Sequence, residues 1–153
     1  MNLDSLNKWL VLGANIGVLC GILFLAYEIR QNTSQMRTES SYAITEIVNV
    51  QNANRYSDPE LTDVILKGNE DFHSLNANEK SRYQQYQFSR LNIADYILFL
   101  ETEGLTDLQF RYVEYTVREM HENPGAMQWW ATVADGWVGS DRLFELMSSS
   151  TRE

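Results

Sequence analysis

One cysteine, two prolines and two histidines among 153 residues leave few of the devices by which small proteins are stapled, kinked or made catalytic. The lone Cys20 excludes an intrachain disulfide framework and a cysteine metal site within one chain. With Pro59 and Pro124 as the only prolines, long stretches are free to run as helix. Basic residues are also scarce, 12 against 21 acidic ones. Setting aside Asp4, Lys8, Glu28 and Arg30 leaves 19 acidic and 10 basic residues on the remainder, a net charge of minus nine. That balance excludes nucleic acid, or an anionic lipid surface, as a partner held by general attraction. Period-two alternation is missing, as are internal repeats and low-complexity segments, so the predicted fold class is all-α.

What is present is dominated by Trp9 to Tyr27, WLVLGANIGVLCGILFLAY, nineteen residues without a formal charge between Lys8 and Glu28. At about 1.5 Å per residue the run reaches roughly 28 Å, close to the hydrocarbon thickness of a bilayer, with Trp9 and Tyr27 placed as interfacial aromatics. A cleavable secretory signal is the rival reading. It fits less well, because the run exceeds the usual signal core and a cut after Ala26 would put Phe24 at the minus-three position. The expected organisation is a transmembrane anchor over 1–30 and one helical soluble domain over 31–153. Arg30 and Arg37 follow the span, against Lys8 and the amino terminus before it, which leans the carboxy-terminal domain towards the cytoplasm.

Within the span Gly13, Gly17 and Gly21 recur every four residues and form a strip without side chains along which another helix can approach closely. Asn15 lies roughly 160° to 200° away around the helix, so a second face carries a polar group. Two such faces suit a ring in which each helix touches two neighbours. The alternative is that Asn15 bonds its own backbone or is hydrated near the interface.

Residues 28–57 contain neither Pro nor Gly, so the helix leaving the span is predicted to continue through them. Met36, Ser40, Ala43, Ile47, Val50 and Asn54 give that continuation a thin seam, expected to pack on its own domain. Asp58 with Pro59 restarts helix, Leu61, Val64 and Ile65 give it an apolar face, and Gly68 is positioned to end it. Asn76 with Glu79 predicts the start of a long helix to about Glu103, stopped by Gly104. Thr106 with Gln109 reads as a capping box for a helix striped by Phe110, Val113, Val117 and Met120. Asn123, Pro124 and Gly125 turn the chain. Ala126, Trp129, Trp130, Val133 and Trp137 mark a further helix, Ser140 caps a last one with Leu143, Phe144 and Met147, and the tail from Ser148 is expected to be loose.

Four constellations bear on chemistry. Glu70 and His73 match the Glu-x-x-His of a di-iron helix, but the second copy such a site needs is missing, since Arg118 stands three places before His121. Asn92 and Asp95, between Phe88 and Phe99, read as a polar pair on a buried face. Asp95 is expected to meet one of Arg90, Arg111 and Arg118 rather than to act as an acid or base. Trp129, Trp130 and Trp137 with Tyr112 and Tyr115 form an aromatic group that either fills the core or lines a ligand or partner contact, with at most one of the adjacent pair Trp129 and Trp130 spare. Gly125, Gly136 and Gly139 are too sparse for a phosphate loop. No nucleophile with a positioned base emerges, so no catalytic residue, cofactor or metal ligand is assigned and an enzyme is not expected.

The opening KWL, the Gly-rich span and EIRQNT directly after it, together with PG and WW between 124 and 130, resemble a group of small, uncharacterised bacterial membrane proteins with a helical carboxy-terminal region. The resemblance covers the first 35 residues well and the rest loosely. It implies a bacterial inner-membrane setting and transfers no catalytic residue. The expected function is a membrane-anchored scaffold or interaction protein, self-associating through its span and in contact with the bilayer and with other membrane or cytoplasmic proteins. A sensor binding a small apolar ligand among the aromatics is the alternative. An ion-conducting ring is a further one, for which Asn15 alone and no charge in the span are slender support.

Overall fold

A computed structural model describes residues 2–106 and 110–149, the side chains of Ser5 and Phe110 excepted. Among them there are six α-helices and no strand: α1 Leu3–Ser57, α2 Pro59–Glu70, α3 Ala77–Thr102, α4 Phe110–Glu122, α5 Pro124–Val133 and α6 Asp141–Ser149. The part of α1 from Glu39 onward packs with a small helical bundle, in keeping with the all-α reading. The chain divides into two compact units, Met1–Thr38 and Glu39–Glu153.

The first unit is the amino-terminal part of α1. It is the one helix among the described residues long and apolar enough to cross a membrane. None of its most apolar window is buried, and Leu10, Ile16, Leu23 and Phe24 stand more than half exposed. Beyond the apolar run, Thr33 and Thr38 donate their hydroxyls to the carbonyls of Ile29 and Ser34, so these polar residues are accommodated without breaking the helix.

The second unit begins with the rest of α1, whose inward face differs from the expected seam. Ile44 is fully buried and Val48 partly so, while Ile47 and Val50 stand 43% and 55% exposed. The inward stripe continues with Gln51, which donates to Ser89 and accepts from Tyr112, and with Arg55, which donates to Tyr86. Polar residues complete this face, and the expected seam through Ala43, Ile47, Val50 and Asn54 lies one position before it.

At the start of α2, Asp58 accepts from the Leu61 amide at 2.9 Å and Pro59 occupies the first turn. Gly68 does not end this helix, which runs on to Glu70. It provides close approach instead: a Cβ placed on Gly125 would lie 1.8 Å from the Gly68 carbonyl oxygen, and one on Gly68 would meet the Tyr83 ring. Helix α5 therefore packs backbone to backbone on α2. The Asn76–Glu79 capping box of α3 forms in both directions, and Gly104, at φ 67°, turns the chain after it. Gln109 of the expected Thr106 box and the side chain of Phe110 lie outside the described residues, as do the last residues of the tail, while α6 itself extends to Ser149. The core joins Tyr83, Leu91, Ile97, Val113, Met120, Trp129, Leu143 and Met147, all at 0% exposure. Arg90, also buried, pairs with Glu119 across α3 and α4 and bonds Gln87 at 3.3 Å.

Candidate functional site

Three places in the two units bear on function. In the apolar run of α1, Gly13, Gly17 and Gly21 each leave open space where a Cβ would stand, and Asn15 is exposed with them. A helix face of this kind admits a second backbone at close range, where packing and weak Cα–H···O contacts accumulate.

The aromatic group of the bundle is real but has different members from those expected. Trp129 meets Phe88 edge-on at 5.1 Å, Trp130 meets Trp137 at 5.5 Å and Phe144 at 6.0 Å, and Phe88 lies parallel to Trp137 at 6.4 Å. Trp129 and Trp130 are both buried, because α5 is short and enclosed on two sides, so each indole finds its own neighbours. Tyr112 turns instead to Gln51 of α1, and Tyr115 lies half exposed beneath the Arg118 guanidinium. The sequence reading places Phe88 only as a flank of Asn92 and Asp95, yet its ring contacts both Trp129 and Trp137. Beside Phe88 and Trp137 a recess of 440 Å³ is lined further by Asn92, Asp95, Thr132 and Val138.

Asp95 corrects the expected ion pair with an arginine. Its Oδ1 accepts from the Ser140 amide at 2.9 Å and from the Ser140 hydroxyl, while Arg90 is taken by Glu119. The carboxylate therefore anchors the start of α6, where Ser140 Oγ in turn accepts from the Leu143 amide. The face is also less buried than its flanking rings suggest: Asn92 is exposed, and Phe88 and Phe99 stand 37% and 57% exposed. Glu70 ends α2 and His73 sits in the short 3₁₀ turn Phe72–Ser74. Among the described residues no three His, Cys, Asp or Glu side chains converge as a metal set.

A groove of 910 Å³ lies between the second half of α1 and α3. Three side-chain pairings, Gln51 with Ser89, Arg55 with Tyr86 and Asp58 with Arg82, run antiparallel along it. Ile47, Val50, Leu61, Phe88, Ile93 and Tyr96 supply apolar lining, and Gln51, Asn54, Gln85 and Asn92 supply amides.

The shifted ionisable groups belong to structural contacts. Burial pushes the Tyr83 hydroxyl up to about 12 and raises those of Tyr86 and Tyr112. The Leu61 amide, and then Arg82, hold Asp58 below the usual carboxylate range, and Lys67 with the Asn76 amide does the same for Glu79.

No protein-family model matches the chain, and no curated protein or solved structure matches it either.

Proposed function

We propose that this chain is a single-pass membrane protein that self-associates through Gly13, Gly17 and Gly21 and presents its acidic helical bundle as a scaffold for other proteins. The observation that carries the reading is the uncovered strip: three glycines with open space at each Cβ position, within an apolar run of which none is buried. Apolar surface exposed all round a helix is stable only in an apolar surrounding, and within lipid a glycine strip is a surface on which helices associate. The favoured setting is a bacterial inner membrane with the bundle on the cytoplasmic side, supported by Arg30 and Arg37 after the span. The test is the mass of the complex in native nanodiscs for wild type and for Gly17→Ile. An oligomer in wild type that the substitution dissociates is expected. A monomer in both would remove the scaffold reading.

A second reading, a sensor for a small apolar ligand, draws support from the recess beside Phe88 and Trp137, whose parallel rings offer a face to a planar or aliphatic group. Its measurement is tryptophan fluorescence and melting of the full chain against a panel of apolar compounds. No shift with any of them would count against sensing.

A further inference from the structure

Helix α3 carries Phe88, Asn92 and Asp95 a turn apart, so their side chains share one face. The chain between α5 and α6 returns to that face, and Gly136 and Gly139 line the recess there together with Trp137. A Cβ on Gly139 would lie 2.3 Å from Trp137 Nε1, and one on Gly136 would meet nothing within 4 Å. Without those side chains the indole keeps its place in the wall and the recess stays open. Its 440 Å³ falls within the roughly 300 to 1,000 Å³ of small-molecule sites. Phe88 is exposed, so solvent reaches it.

Among the described residues Asp95 is the one ionisable side chain in this lining. Its hydrogen bonds, both from Ser140, fall on Oδ1. Oδ2 accepts none, and no cation among the described residues pairs with the carboxylate. Arg90 is held by Glu119, and Arg142 bonds Glu101. A carboxylate beside aromatic faces, with no basic group in the same wall, selects a cation.

The rest of the wall decides which cation. Hard metal ions take several oxygen ligands, and among the described residues no His, Cys, Asp or Glu side chains converge as such a set. A primary ammonium brings N–H donors that each need an acceptor. The wall offers few, since the Thr132 hydroxyl is already bonded to the Trp129 carbonyl at 2.7 Å. A quaternary ammonium needs no acceptor and carries its charge inside methyl groups. Phe88 and Trp137, parallel within 3°, supply the ring faces that such a cation prefers.

We propose that this recess binds a small quaternary ammonium cation, its charge beside Asp95 and its methyl groups against Phe88 and Trp137. The proposal rests on the sensor reading and names the chemistry of the ligand. A free choline-like molecule and the choline headgroup of a lipid share that chemistry.

The experiment uses full-length protein in dodecyl maltoside micelles, which carry no charge and no ammonium group, with binding read by calorimetry. The probes are choline, its uncharged carbon isostere dimethylbutanol, ethanolamine and glycerophosphocholine. Choline is expected to bind wild type about tenfold more tightly than dimethylbutanol or ethanolamine. Asp95→Asn keeps an acceptor for Ser140 and removes the charge, so choline should weaken by about tenfold while dimethylbutanol is unmoved. Phe88→Leu, at an exposed ring, should weaken choline by about fivefold. Thermal melting checks that both variants fold, and the probe series on wild type decides the matter even where one does not. Choline bound no better than dimethylbutanol, or bound equally by wild type and folded Asp95→Asn, would overturn the proposal. Equal binding of choline and dimethylbutanol would still leave a sensor for an apolar ligand standing, so the two readings fail separately. Binding of neither also overturns the proposal, and the panel of apolar compounds then judges the sensor reading alone. Where choline is preferred, glycerophosphocholine bound more tightly than choline assigns the source to a lipid headgroup, and weaker binding assigns it to a free cation.

Discussion

The same apolar side chains meet opposite fates in the two units of this chain. In Met1–Thr38 Leu10, Leu23 and Phe24 are 62% to 63% exposed, while in Glu39–Glu153 Leu91, Ile97 and Trp129 are at 0%. Residue type does not explain the difference, and arrangement does. In α4 apolar residues follow one stripe, Val113, Val117 and Met120, and one neighbouring surface is enough to cover them. Between Trp9 and Tyr27 they occupy every side of the helix, so no single neighbour within a small bundle would cover them. A stripe asks for a partner element, and an all-round apolar helix asks for an apolar solvent.

Matched substitutions in the two units put that contrast to the test. The largest effect is expected for Trp129→Ala, which removes a fully buried indole from its contacts with Phe88 and Trp130 and should lower the stability of the bundle by about 4 kcal/mol. Leu19→Ala in the apolar run of α1 should leave the same denaturant transition unmoved. Equal shifts would mean that the span is part of the bundle's core. Next comes Gly125→Ala, whose added methyl would meet the Gly68 carbonyl and should cost about 3 kcal/mol, against no loss of bundle stability for Gly13→Ala, where the space is open. Thermal melting of both variants in one detergent decides this, and a tolerated Gly125→Ala would show that α2 and α5 can separate without loss.

The smallest effect is a dependence on alkaline pH. Tyr83, Tyr86 and Tyr112 have hydroxyls raised by burial, Tyr83 to about 12, so between about pH 10 and 12 the unfolded chain gives up protons that the folded chain keeps. The unfolded state then binds fewer protons and stability falls as pH rises through that window. Below pH 10 both states hold the proton and the contribution is flat. Denaturant midpoints measured from pH 9 to 12 should decline, with a shallower slope for Tyr83→Phe. An unchanged slope would assign the decline to other groups.

Much of the fold is legible in the sequence because local chemistry marks it. Asp58 with Pro59, Asn76 with Glu79, Gly104, and Ser140 are each a residue type placed where a helix end requires it, and each marks a helix end in the structure. What stays hidden depends on distant parts of the chain. Gly68 has the composition of a helix end, yet its use is set by Gly125, and nothing near it in sequence shows this. Asp95 has three arginines in reach by type, but Ser140 claims it and Glu119 claims Arg90. The inward face of α1 is concealed for a related reason: Gln51 and Arg55 count as polar in any periodicity, while their partners Ser89, Tyr112 and Tyr86 make them part of the packed side. For the candidate sites, Gly13, Gly17 and Gly21 are visible as a spacing. The α1–α3 groove is not, because a groove is made by two walls that sequence proximity does not bring together.

The tie between Gln51 and Tyr112 spans 61 residues. During synthesis at about 5 to 20 residues per second, Tyr112 is joined to the chain roughly 3 to 12 s after Gln51. Over that interval Ile44 and Val48 have no finished bundle to cover them, although the apolar run preceding them has long been made. The inward face of α1 is thus made before the elements that cover it, and its burial waits on the synthesis of α3 and α4.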